Sequence, residues 1–356
     1  MMGIAFIQLS PVKVKAQDLH FSQFYNTPLL LNPALTGSFS GGFRLSTCYK
    51  NQWQSISPEP YRTFTFSGEK NFRLKLLNDY IGAGLTFFTD KAGLSQFGLN
   101  HINATCAFHK RFSPKNEITI GLLGGIAQQS VNFASLQWPS QYNGAGYDPT
   151  MPSNEVDPSN KLLGDFSGGV TWNYTKGGEM YATANNQFNV NLGVSFFHII
   201  PPNQSVYPKK ERVATTSGYS LTEDRSSIKI MMHGFTIIGF NNDKMAVVPS
   251  FMYVLQGPLQ DRLVGASLRF LLADASKHTG FMKGAALSLG GHYRVGDAVL
   301  PAILLEIDQY ALGISYDINT SNLTTASSGK GGIEISLRYI SPLPKPIPTK
   351  TPRFFD

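Results

Sequence analysis

The sequence predicts an all-β protein: a closed antiparallel transmembrane β-barrel of about fourteen strands, with a short ordered segment before it and a Pro-rich tail after it. Apolar and polar residues alternate over long stretches, as they do along strands whose two faces meet different surroundings. Charged residues make up only 15% of the 356 residues, against about 25% in typical soluble domains, while aromatic residues reach 12%. No run of about 18 apolar residues occurs, which excludes a helical membrane protein.

The alternation is clear at residues 188–196, where every second position is apolar: Phe188, Val190, Leu192, Val194 and Phe196. A soluble β-sandwich would show the same pattern, because its strands also have one apolar and one polar face. The predicted strands, however, run for about 9 to 12 residues, the length that a tilted strand needs to cross the hydrocarbon of a bilayer. Aromatic residues also gather at strand ends, where the membrane interface would lie. Length, aromatic placement and low charge therefore favour the barrel.

Fourteen strands are predicted, approximately at residues 42–52, 61–71, 79–89, 95–110, 116–129, 164–175, 187–198, 227–241, 245–256, 259–272, 282–295, 298–307, 309–319 and 331–340. An even number of strands closes an antiparallel barrel with both of its ends on the same side. The two longest connections, 131–163 and 199–226, follow odd-numbered strands. Both would lie outside the cell if both termini are periplasmic, and the sequence predicts that orientation in the bacterial outer membrane.

The barrel is predicted over residues 41–340, with three segments outside it. Residues 1–16 resemble a truncated signal peptide, because a short apolar stretch precedes the small residues that a signal peptidase reads. Residues 17–40 are rich in apolar and aromatic side chains, and Asn32 before Pro33 is typical of a helix start, so we expect an ordered segment packed in or under the lumen. Residues 341–356 are too rich in Pro to pair as a strand and predict an extended periplasmic tail.

Several function classes are excluded or disfavoured by the residue pattern. The net charge of +7 comes from Lys and Arg that are scattered singly, which argues against nucleic acid as a partner. Cys48 and Cys106 lie in apolar stretches without a CxxC motif, and the seven His residues form no HxxH or HExxH pair, so neither a metal site nor a disulfide is predicted. The Gly-rich stretches at 121–125 and 329–332 lack the spacing of a phosphate-binding loop. We expect no enzyme activity and no cofactor.

Two groups of residues are candidates for a functional role in such a barrel. Seven charged or polar side chains lie on or near the inward face of the last five predicted strands: Arg269, His292, Arg294, Glu306, Asp317, Glu334 and Arg338. They form either a mutually satisfied network that keeps the barrel rigid or a polar passage or plug-binding surface. The long loop at 137–157 carries Trp138, Tyr142 and Tyr147, which either bind a partner or pack within the loop.

Several short stretches of the chain are specific enough to suggest a family, first of all LHFSQFY at 19–25, LNPALTG at 31–37 and YKNQW at 49–53. With them the chain resembles the PorP/SprF family, whose members are outer-membrane components of the type IX secretion system. Further similar stretches are DKAG at 90–93, GISYDI at 313–318, GIEISL at 332–337 and PRF at 352–354. Family members often have Cys before that final motif, and this chain has Thr351 there.

The resemblance implies a non-enzymatic barrel in the outer-membrane lipid that serves protein export, surface attachment of adhesins and, in some bacteria, gliding. The implied partners are the C-terminal sorting domain of a secreted adhesin and periplasmic or peptidoglycan-linked components of the secretion machine. Candidate contacts are the N-terminal aromatic residues, the loop aromatic residues named above and the cations of the tail, namely Phe21, Phe24, Tyr25, Lys345, Lys350 and Arg353. The alternative function is a channel for small or apolar solutes.

Overall fold

The computed structural model describes residues 21–74, 79–132, 136–154, 160–176, 188–204, 225–240, 244–273, 284–322 and 324–342. Fourteen antiparallel strands make up most of this part of the chain: β1 Phe43–Gln52, β2 Tyr61–Arg73, β3 Tyr80–Ala92, β4 Phe97–Arg111, β5 Asn116–Ser130, β6 Lys161–Lys176, β7 Phe188–Phe197, β8 Lys229–Gly239, β9 Met245–Gln256, β10 Leu259–Ala273, β11 Ala285–Arg294, β12 Ala298–Ile307, β13 Tyr310–Asn319 and β14 Lys330–Ile340. Two short helices, α1 Pro28–Leu31 and α2 Thr324–Ser327, lie outside the sheet.

The strands form one closed barrel in which each strand pairs with its neighbours in the sequence, and β1 pairs with β14. At this closing seam Cys48 lies opposite Ser336 and Lys50 opposite Glu334. The prediction of a closed barrel of fourteen strands is therefore confirmed, and β12 has the predicted bounds. Among the described residues, no helix is long and apolar enough to cross a membrane.

The two faces of the barrel reverse the usual pattern of a soluble protein. On β7, Leu192 points outward and is 40% exposed, while its neighbour Asn191 points inward and is only 4% exposed. The same alternation follows the other strands, so the outer face carries large apolar side chains and the inner face is mostly small or polar. The two free cysteines lie on opposite faces, since Cys48 is buried inside the barrel and Cys106 is exposed on its outer face.

The barrel has two distinguishable ends. At the terminal end β1 begins and β14 finishes, and Gly42 N donates a hydrogen bond to Ser341 O across 2.9 Å. At the loop end lie the connections after the odd-numbered strands, including the two long ones after β5 and β7. The core of the molecule lies between these ends, inside the barrel, where apolar residues of the N-terminal segment pack against inward-facing side chains such as Leu123, Met252 and Leu263.

Candidate functional site: the plugged lumen

Residues 21–40, which we call the plug, cross the lumen from the loop end to the terminal end. The plug contains α1 and two 3-10 turns, Phe24–Asn26 and Pro33–Leu35, and most of its side chains are buried. Pro28 and Pro33 occupy first helical positions, where a missing N–H leaves no hydrogen bond unmade. Asn32 caps the second 3-10 turn by accepting a hydrogen bond from Ala34 N at 2.9 Å, as its position before Pro33 predicts.

At the loop end, the barrel wall holds the start of the plug through two carboxylates. Glu334 on β14 accepts hydrogen bonds from the backbone N–H groups of Ser22 at 2.8 Å and Gln23 at 2.7 Å. Asp317 on β13 accepts a third from the Ser22 hydroxyl at 2.8 Å. Both carboxylates are about 1% exposed, so these charge-assisted bonds form in a place that bulk water does not reach.

Two buried cations balance these carboxylates at the loop end. Arg294 on β11 approaches Asp317 at 3.4 Å and Asp261 at 3.7 Å, and it also donates to the Ser22 hydroxyl at 3.2 Å. Lys50 Nζ lies 3.8 Å from the Asp317 carboxylate. We call these five side chains the loop-end cluster: Lys50, Asp261, Arg294, Asp317 and Glu334. The cluster lies on five barrel strands and contacts the first two described residues after Phe21.

The middle of the plug is attached through Asn32. Its side-chain nitrogen lies 3.2 Å from the backbone oxygens of Val170 on β6 and Val194 on β7, and 3.2 Å from His233 Nε2 on β8. One amide therefore touches three adjacent strands. The wall approaches the plug backbone closely here, because a Cβ added at Gly121 on β5 would overlap the backbone nitrogen of Ala34.

At the terminal end, the plug is attached to β2 and β4. Glu69 on β2 accepts hydrogen bonds from Gly37 N at 2.6 Å and from Arg44 Nε at 2.7 Å. His109 Nε2 lies 2.7 Å from the backbone oxygen of Thr36, and Arg44 stacks 4.8 Å above the ring of Phe39. The plug is thus attached near its start, in its middle and near its end.

Two cavities lie on either side of the plug, and Leu31 of α1 lines both of them. The loop-end cavity has a volume of about 490 Å³, and its lining includes Phe21, Phe24, Phe88 and Phe197. The terminal-end cavity has a volume of about 280 Å³, and its lining includes Tyr25 and three arginines, Arg44, Arg269 and Arg338. The plug therefore divides the described lumen into an aromatic chamber and a smaller cationic one.

The seven polar residues that the sequence places in the lumen all lie on the inner face, but in two separate places. Asp317, Glu334 and Arg294 belong to the loop-end cluster. Arg269, Glu306 and Arg338 form what we call the terminal-end cluster, in which Glu306 accepts from Arg269 Nε at 2.8 Å and from Arg338 Nη2 at 3.1 Å. His292 lies between the clusters, with Nε2 at 2.7 Å from the Ser250 hydroxyl and its ring stacked on Tyr25.

The candidate aromatic contacts of the N-terminal segment and of the long loop differ in exposure. Phe21 and Phe24 are buried in the plug. In the loop, Tyr142 and Tyr147 form an antiparallel bridge and are 59% and 42% exposed, while Trp138 is half-buried. Hydrogen bonds donated by the hydroxyl and the backbone N–H of Thr150 hold the pKa of Asp148 in the same loop below its usual value. The tail candidates Lys345, Lys350 and Arg353 lie outside the described residues.

Sequence reasoning missed several residues that hold the plug. Glu69, His109 and Lys50 all lie at inward-facing positions of their strands, so the alternation could have assigned them to the lumen together with the seven residues of the last strands. Asn32 was identified only as a helix cap, and no local signal predicts its contacts with three strands. Among the described residues, no group of three or more His, Cys, Asp or Glu side chains is placed to hold a metal ion.

A closed barrel with an apolar outer face, a polar inner face and a plugged lumen defines this chain as an outer-membrane β-barrel protein. Its family follows from the sequence. Residues 13–339 match the family described as type IX secretion system membrane protein PorP/SprF, and the chain belongs to that family. No curated protein sequence matches the chain.

Solved structures of other outer-membrane barrels are similar to this fold. A Pseudomonas aeruginosa FadL homologue is 9% identical, with a TM-score of 0.46, over 88% of this chain and 94% of its own. The monoaromatic hydrocarbon channel CymD is 10% identical, with a TM-score of 0.45, over 89% of this chain and 93% of its own. BamA from Haemophilus ducreyi lacking POTRA domains 1–3 is 9% identical, with a TM-score of 0.41, over 84% of this chain and 70% of its own.

Proposed function

We propose that this protein is a non-enzymatic, sealed scaffold of the type IX secretion system that supports secretion and surface attachment of adhesins or gliding-motility proteins through their C-terminal sorting domains. The observation that carries the proposal is the plug. A segment attached to the wall near its start, its middle and its end makes the barrel suited to presenting surfaces rather than to conducting solutes. Membership of the family supplies the link to secretion.

The proposed scaffold contacts different partners at its two ends. We place the terminal end in the periplasm, where the cationic tail from residue 341 would meet periplasmic or peptidoglycan-linked components of the machine. The loop end would then face outward and offer the exposed rings of Tyr142 and Tyr147 to the sorting domain of an adhesin. Outer-membrane lipid covers the apolar outer face in this arrangement.

A channel for small or apolar solutes is the second candidate. The two cavities favour it, because they lie at opposite ends of the described lumen and Leu31 of the plug lines both. A channel would require the plug to move, and movement would break the hydrogen bonds made by Glu334, Asn32 and Glu69.

Conductance across a planar bilayer distinguishes the two candidates. For the scaffold, the purified wild-type protein should show no steady conductance, whereas a variant lacking residues 21–36 should conduct. A variant lacking the loop residues 137–157 is the matched control, because it shortens the chain without opening the lumen. Steady conductance of the wild-type protein would favour the channel.

Partner binding is tested with two deletions in pull-downs from detergent extracts. Removing residues 341–356 should abolish capture of periplasmic machine components and spare the adhesin, while removing 137–157 should do the reverse. Heat-modifiable migration on a denaturing gel verifies that both variants still form barrels. If both deletions retain both sets of partners at wild-type levels, the partner surfaces lie elsewhere, and Phe21, Phe24 and Tyr25 are then the next candidates.

A further inference from the structure

The terminal-end cavity combines cations with an apolar wall, although inward positions of an outer-membrane barrel are usually polar. Its apolar wall consists of inward-facing side chains of β8, β9 and β12: Phe235, Ile237, Val248 and Leu304. The plug adds Pro28 and Leu35 to the apolar lining. At about 280 Å³ the cavity is close to the lower limit of small-ligand pockets, roughly 300 Å³.

Two of the three arginines in the cavity lie away from the apolar positions of β8 and β9, while Arg269 on β10 lies beside β9. Arg338 on β14 and Arg44 on β1 are adjacent across the closing seam, and four strands separate β14 from β9 around the barrel. Arg338 and Arg269 share the single carboxylate of Glu306, which brings two guanidinium groups to one acceptor. Among the described residues that line the cavity, three arginines thus accompany one glutamate, and the lining favours an anion.

A second observation points to a ligand. Arg44 is only 8% exposed, and its Nε is occupied by Glu69. Its Nη2 is buried and has no hydrogen-bond partner among the described residues. A buried guanidinium nitrogen without an acceptor is costly, because removal from water is not repaid by a hydrogen bond. A carboxylate oxygen in the cavity would supply that acceptor.

Glu306 and Arg338 also border the terminal end of the barrel. A smaller cleft of about 140 Å³ at the rim of the barrel is lined by Glu306 and Arg338, which both line the cavity too. Ser341 and Pro342, the last described residues, form part of the same cleft. An anion that enters the cleft would therefore meet Arg338, which also lines the cavity.

We propose that the terminal-end cavity is a binding site for a small amphipathic carboxylate. The carboxylate lies between the guanidinium groups of Arg338 and Arg44, and the apolar chain lies against the apolar wall. A cavity lined by both cations and apolar side chains selects for a ligand with both parts, since a bare anion would leave the wall without contacts and a neutral chain would leave Arg44 without an acceptor. The site is independent of the secretion role, because it requires only the folded barrel.

The test uses octanoate and the full-length protein in nanodiscs. Equilibrium dialysis with radiolabelled octanoate measures binding, and empty nanodiscs measure the partition into lipid. Octanoate should bind in one-to-one stoichiometry, while octanol and octyltrimethylammonium should compete at least about tenfold less well, which is the effect of one lost charge-assisted contact. Acetate should also compete at least about tenfold less well, because it lacks the chain that buries apolar surface. Equal competition by octanol or by acetate would overturn the proposal, as would the absence of octanoate binding above the lipid background.

Variants locate the site. Arg338→Gln should weaken octanoate binding about tenfold or more, and Arg338→Lys should restore most of it by returning the charge. Arg262→Gln is the matched control, because Arg262 is an exposed arginine on β10 that stacks on Tyr253 outside the cavity. Unchanged binding in Arg338→Gln would refute the assignment. If Arg338→Gln does not form a barrel, the comparison of octanoate with octanol on the wild-type protein still shows whether the protein selects a carboxylate.

Discussion

The loop-end and terminal-end clusters are both built from luminal arginines and carboxylates, yet they contact different parts of the molecule. The loop-end cluster holds the plug, because Glu334 and Asp317 accept hydrogen bonds from Ser22 and Gln23. The terminal-end cluster joins β10, β12 and β14 through Glu306 and borders a cavity. Residues that look equivalent in the sequence therefore differ in role, one group closing the lumen and the other lining a chamber.

Removing the Glu334 carboxylate from the loop-end cluster should reduce the stability of the protein most. Glu334→Ala leaves the backbone N–H groups of Ser22 and Gln23 without their acceptor and removes the carboxylate opposite Lys50, so we expect the free energy of unfolding to fall by about 3–5 kcal/mol. Urea titration followed by heat-modifiable migration measures this loss. Ile335→Ala is the control, because the neighbouring side chain points outward and touches no plug residue.

The same variant tests whether the cluster holds the plug itself. In a chain whose native cysteines are replaced by alanine, a Phe21→Cys probe should react with a water-soluble maleimide much faster in the Glu334→Ala background. Labelling at the wild-type rate would show that the loop-end cluster does not hold the plug.

A smaller loss of stability is expected for a substitution at the position where the wall comes closest to the plug backbone. Gly121→Ala places a methyl group against Ala34 N and should destabilise the protein by about 1–3 kcal/mol through overpacking. Gly124→Ala on the same strand meets only the Phe166 ring at 3.8 Å and should be nearly neutral. Urea midpoints of the two variants make the comparison. Equal midpoints would mean that the plug does not press on β5.

The side-chain amide of Asn32, in the middle of the plug, should contribute somewhat less to stability than the Gly121 position does. Asn32→Ala removes the donor shared by Val170, Val194 and His233, and also the cap of Ala34 N, so about 1–2 kcal/mol should be lost. Asn32→Asp keeps the cap oxygen but turns a carboxylate oxygen toward the backbone oxygens of Val170 and Val194, to which the amide donates. Because this buries a charge against two acceptors, the aspartate variant should be less stable than the alanine variant, and the reverse order would contradict the donor role of Asn32.

A substitution in the terminal-end cluster should have the smallest effect on the plug. Glu306→Gln weakens the contacts with Arg269 and Arg338, which lie within the barrel wall, so the Phe21→Cys probe should react within about twofold of its wild-type rate. Maleimide labelling under the conditions used for Glu334→Ala provides the test. Comparable acceleration in both variants would remove the distinction between the clusters.

Much of the barrel was predictable because its signal is local. Side chains alternate between the faces of a strand with a period of two, so Leu192 and Asn191 are assigned to opposite faces without knowledge of any partner. Strand ends were less accurate: β6 begins at Lys161 rather than near 164, and β3 continues to Ala92 rather than ending near 89. Alternation weakens toward a turn, which is why boundaries are harder to predict than faces.

The plug shows where sequence reasoning stopped. The strand count places the two ends of the barrel wall together at the terminal end, but Phe21 lies in the loop-end half of the lumen. Strand parity describes only the wall, so it cannot give the direction of a segment that runs through the interior.

Composition and alternation were therefore sufficient for the fold class, the fourteen strands and the inward orientation of residues such as Glu334 and Arg338. The tertiary structure alone showed which of them contacts the plug. Ser22 and Glu334 are 312 positions apart, and they meet only because the barrel closes and the plug passes beside its last strand. A pattern with a period of two residues contains no information about a contact over that separation, since the contact depends on closure and not on local conformation.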